Sequence, residues 1–117
     1  MLPVTRERFE ELAAEAIDEL PDWVRETMSN VEILIEDLPP RDQPNLLGLY
    51  HGVPLDSRGQ WYSGVLPDTI TLYRATIVAV AGRDEDRLKH EIAHTVVHEV
   101  AHHFGIDDDR LRELDAY

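Results

Sequence analysis

Residues 90–109 read HEIAHTVVHEVAHHFGIDDD, in which the pattern His-Glu-x-x-His occurs twice within 13 residues. On an α-helix, residues four apart lie one turn apart and are offset by roughly 40°, so both histidines of either copy can point at one ion. Spacing alone does not choose between the copies. Projected on a helix, Ile92, Ala93, Val96, Val97, Val100, Ala101 and Phe104 fill a continuous arc of about 180°, which predicts the buried face. His90 and His94 fall at one edge of that arc, while Glu91, Thr95, His98, Glu99 and His102 continue round the polar side. A catalytic zinc also needs a third protein ligand and an open position for water. The first copy runs on into TVVHEV, which has neither a turn nor a ligand. The second is followed by HFGIDD, where Gly105 can take positive φ, end the helix and swing Asp108 back towards the ion. The second copy is therefore the candidate metal site. Asp107 and Asp109 compete with Asp108 for the third position, and the spacing favours Asp108.

The rest of the chain narrows what such a site can be. Its 117 residues, 43% of them apolar, predict one domain over 1–117 with one core. There is no cysteine, so any transition metal is held by imidazole and carboxylate alone. A net charge of -13 repels phosphate backbones and anionic lipid, which argues against nucleic acid or a membrane surface as partner. The opening residues MLPVTRERFEELAAEAIDEL lack the basic start and apolar run of a secretory signal, and no stretch of about 18 apolar residues occurs. We expect a cytoplasmic monomer.

Periodicity predicts the elements. TRERFEELAAEAIDE, 5–19, opens with a capping Thr5 and places Phe9, Leu12, Ala13, Ala16 and Ile17 three and four apart, an amphipathic helix. A short helix follows through DWVRETMS, with Pro21 in its first turn and Trp23 and Val24 towards the core. VEILIED, LLGLYHG and TITLYR read as strands, separated by the proline-rich LPPRDQPN and by an irregular connection, 53–69, with room for a hairpin. ATIVAVAGR reads as a short helix on its alanines. From Asp84 to Gly105 an acidic first turn, a helix-compatible body and a terminal glycine predict one long helix, and the tail beyond it has the composition for a further turn or two.

The run HEVAHHFGIDD resembles the extended zincin motif His-Glu-x-x-His-x-x-Gly-x-x-His/Asp, with Asp in the third ligand position. TITLYR followed by HTVVHEVAHHFGIDDDRL resembles, more closely, a small bacterial zincin-like metallopeptidase family, the minimal zincins. That resemblance implies an α+β fold in which the motif helix packs beneath a small mixed sheet, with an N-terminal helix beside it. It implies His98, His102 and Asp108 as ligands of one zinc ion, and Glu99 as catalytic base. Metzincins share the extended motif but carry a methionine below the metal, and no methionine follows Met28 here.

Zinc held by two imidazoles and a carboxylate acidifies its water and polarises a carbonyl oxygen. Glu99 sits beside His98 at an angle suited to taking a proton from that water and returning it to a leaving amine, so the expected reaction is peptide-bond hydrolysis. Tyr73, Arg74 and Tyr117 are candidates for stabilising the oxyanion. A peptide or protein substrate is expected to lie extended along a sheet edge, for which TITLYR is the candidate. His90, His94, His51, Trp23, Trp61 and Tyr62 read as packing or surface residues. The alternative is a metal-stabilised, non-catalytic domain with a vestigial site that binds a protein partner.

Overall fold

The computed structural model describes residues 4–52, 66–105 and 109. Helix α1, Arg6–Asp18, is capped by Thr5, whose Oγ1 accepts from the Arg8 N–H at 3.1 Å. Helix α2, Asp22–Thr27, follows with Pro21 as its N-cap, one place before the first turn. Strands β1, Val31–Glu36, β2, Gly48–His51, and β3, Asp68–Tyr73, precede helix α3, Arg74–Ala81. Helix α4, Glu85–His103, carries both motif copies. Asp84 caps it by accepting from the N–H groups of Asp86 and Arg87 at 2.9 and 3.2 Å. Glu85 and Asp86 set negative charge at the positive end of the helix dipole. Gly105, at φ 77°, takes the left-handed conformation that follows the helix end. The predicted hairpin in the 53–65 stretch, and the tail beyond Gly105 apart from Asp109, lie outside the described residues.

The fold is α+β. Its sheet has the order β1-β3-β2, with β3 parallel to β1 and antiparallel to β2. This corrects one expectation: TITLYR forms the centre of the sheet, and β2 forms the edge beside the motif helix. Ile70 and Leu72 of β3 are fully buried, while β1 alternates half-buried Val31, Ile33 and Ile35 with exposed Glu32, Leu34 and Glu36. The side chains beneath the sheet meet Phe9, Leu12 and Ala16 of α1, Ile77 of α3, and Leu88, Ile92, Val96 and Val100 of α4 in one core. Each buried Leu, Ile or Val there contributes roughly 1.5–3 kcal/mol.

Two polar clamps join α1 to α4 above that core. Arg8 makes a two-pronged ion pair with Glu85, Nε to Oε2 at 2.8 Å and Nη2 to Oε1 at 2.6 Å, and Lys89 reaches Glu19 at 3.1 Å. The projection of α4 needs two corrections at its margins. Thr95 is buried, its hydroxyl satisfied by the Glu91 carbonyl at 2.8 Å, and Phe104 is 48% exposed because it lies beyond the last helical residue.

Candidate metal centre

The long helix carries His90, His94, His98 and His102 at successive intervals of four, and adjacent rings stand in contact or near it. Their centres are 6.3 Å apart for His90 and His94, 4.4 Å for His94 and His98, and 5.6 Å for His98 and His102. Two imidazoles sharing a tetrahedral zinc at about 2.0–2.1 Å hold their ring centres about 5 Å apart. The His98 and His102 pair, at 5.6 Å with ring planes at 86°, is compatible with that separation, and so is His94 with His98 at 4.4 Å. Among the described residues no three His, Asp or Glu side chains gather as a metal site. Asp107 and Asp108 lie outside the described residues; Asp109 is exposed.

The cleft beside this helix has a volume of about 260 Å³ and is lined by residues 45–48 ahead of and into β2 and by Glu91, His94, Thr95, His98 and Glu99. His94, read from the sequence as a packing residue, is thus a half-buried wall of the same cleft as His98 and Glu99.

Strand β2 and helix α4 run side by side with matched repeats. Two residues of strand advance about 6.7 Å and four of helix about 6.0 Å, so every second strand residue meets every fourth helix residue. Gly48 lies on Thr95: a Cβ at Gly48 would stand 2.7 Å from Thr95 Cγ2 and 3.1 Å from the Thr71 carbonyl oxygen. Tyr50 meets both Glu99 and His103. Its backbone N–H donates to Glu99 Oε1 at 2.9 Å, and its ring stacks on His103 with centres 3.9 Å apart and planes at 15°. Gly52 comes next, where an added Cβ would stand 3.0 Å from His103 Cε1. The Tyr50 hydroxyl donates to Asp68 Oδ2 at 2.7 Å, at the start of the central strand. Tyr50 has no meaning as an isolated residue in the sequence. Its signal is the pattern Gly-x-Tyr-x-Gly at 48–52 set against Thr-x-x-x-Glu-x-x-x-His at 95–103.

The oxyanion candidates fare differently. Arg74 bonds Asp37 at 3.0 Å and the Val4 carbonyl, on the β1 side of the sheet and away from β2. Tyr73 is buried, and its phenol is held above the usual tyrosine range by burial first, then by the negative charges of Glu36 and Glu99. Tyr117, Trp61 and Tyr62 lie outside the described residues. Trp23 is half-buried against the core, and His51 is exposed on β2.

No curated protein matches the chain in sequence. Among solved structures, a conserved hypothetical protein of T. thermophilus is similar, with a TM-score of 0.55 and 26% identity over 86% of this chain and 94% of that one. A family model described as zincin-like metallopeptidase matches residues 28–117, from the end of α2 through every strand and both copies of the motif. With His-Glu-x-x-His on a long helix beneath a small mixed sheet, this chain belongs to the zincin-like metallopeptidase family.

Proposed function

We propose that the protein is a zinc-dependent peptidase, monomeric and cytoplasmic, that hydrolyses peptide bonds in extended substrates. The carrying observation is that Glu99, in the motif copy that bears His98 and His102, lines the cleft with His98 and accepts the N–H of Tyr50 on the edge strand β2. His98 and His102 would hold the ion, with Asp108 as the third ligand. Bound zinc would supply an acidified water and a polarised substrate carbonyl.

Glu99 takes the proton as water oxygen bonds to the carbonyl carbon, and returns it to the amide nitrogen as the carbon–nitrogen bond breaks. The substrate main chain enters the cleft lined by residues 45–48, His94, His98 and Glu99. The half-buried cleft walls limit water around the reacting carbonyl. Among the described residues no helix is long and apolar enough to cross a membrane.

The test is Glu99→Gln in zinc-loaded protein, with bound metal measured by elemental analysis and cleavage of fluorescein-labelled casein as the activity. One zinc per chain is expected to remain while hydrolysis falls about a hundredfold or more. Full activity in the variant would refute the general-base role.

A further inference from the structure

Glu99 is a long side chain near the end of a helix, and such a carboxylate samples many rotamers unless something holds it. Here one of its oxygens accepts a backbone N–H at 2.9 Å. The N–H belongs to Tyr50, and three further contacts keep that residue in place. Its hydroxyl is bonded to buried Asp68 at 2.7 Å, its ring lies flat on His103 at 3.9 Å, and glycines on both sides let β2 press against α4. His103 is one turn beyond Glu99 on the same face, so a single tyrosine grips the helix at the base and again one turn later.

We propose that Tyr50 is the positioning residue for Glu99: its phenol, anchored on Asp68 and stacked on His103, fixes the backbone N–H that holds one carboxylate oxygen and leaves the other for proton transfer. The proposal rests on the reading of Glu99 as general base. It explains why the first motif copy lacks an equivalent base, since Glu91 has no strand N–H bonded to it among the described residues. The ladder with β3 places the strand, and the anchored phenol sets the Tyr50 N–H within it.

Amide hydrogen exchange and proton shifts at residue 50 test the tether without needing turnover. In the wild type the residue 50 amide is expected to be protected and shifted downfield. Glu99→Ala abolishes the protection, and Glu99→Gln moves the shift upfield. Tyr50→Phe, which keeps the stack but loses the Asp68 bond, speeds exchange at residue 50 tenfold or more, and Asp68→Ala does the same from the other partner. The amides of Val96 and Val100 in Tyr50→Phe stay put, which a merely structural role would not allow.

On fluorescein-labelled casein, Tyr50→Phe lowers kcat severalfold with KM unchanged. An amide at residue 50 that exchanges equally fast in wild type and Glu99→Ala overturns the proposal, as does one indifferent to both Tyr50→Phe and Asp68→Ala. Should zinc-loaded wild type leave casein intact while residue 50 behaves as expected, the peptidase reading fails and the tether stands.

Discussion

Gly48 sets how near the motif helix comes to the sheet. Any Cβ there would stand 2.7 Å from the Thr95 methyl and 3.1 Å from the β3 backbone, and a backbone oxygen cannot move aside. Gly48→Ala is therefore expected to destabilise by about 1–3 kcal/mol, read from urea unfolding, and to loosen the Tyr50–Glu99 bond. Gly105→Ala acts at the other end of the motif helix. At φ 77° an alanine costs about 1–2 kcal/mol, and the strain falls on the turn that ends the motif helix. The two glycines differ in how far a sequence reveals them. Gly105 is legible because a helix must stop and left-handed backbone stops it. Gly48 and Tyr50 act across a gap between elements 47 residues apart, Gly48 to Thr95, and nothing local marks that contact. The pairing of His98 with His102 is legible for the opposite reason, since helical geometry alone brings them together.

At the scale of elements, α4 is the most readable part of the molecule: its cap, acidic first turn, apolar arc and terminal glycine all point the same way. Its errors sit at the margins. Thr95 is buried because a threonine hydroxyl can bond the carbonyl four residues back, an option no projection shows. Strand order is less readable, because alternation tells which face of a strand is buried and says nothing about its neighbours. TITLYR became the centre because both β1 and β2 pair with it, which depends on connections rather than on its own residues.

How α1 holds α4 gives a pH prediction. The Arg8 guanidinium bonds Glu85 with both prongs and keeps its carboxyl below the usual glutamate range. A depressed folded value means that the unfolded chain binds the proton first as pH falls, so the stabilisation is present above about pH 4.3 and lost below it, through the folded value. Arg8→Ala is expected to lower the melting temperature at pH 7, with the gap to wild type closing as acid protonates Glu85. A gap that is constant down to the acid limit would assign the loss to packing of the arginine stem.

For the whole molecule the question is whether metal holds the fold together or only serves it. The core that fixes α4 is apolar and continuous: Leu88, Ile92, Val96 and Val100 are fully buried against Phe9, Leu12, Ile70 and Leu72, and the histidine ladder lies outside it. Removal of an ion from the proposed site would leave that burial intact, unlike in small domains whose folding energy is metal-binding energy. Chelation is therefore expected to abolish casein cleavage at once while thermal unfolding, followed by circular dichroism, remains a single cooperative step. The melting temperature still drops, because any ligand of the native state stabilises it: free zinc at about a hundred times its dissociation constant adds about 2.7 kcal/mol. That contribution grows with the logarithm of free zinc and vanishes smoothly as zinc is withdrawn. A structural site behaves otherwise, with the cooperative transition itself disappearing from the apo chain. Loss of the transition on chelation would favour a metal-stabilised interaction domain over an enzyme, and its persistence with activity gone would place the ion at the chemistry alone.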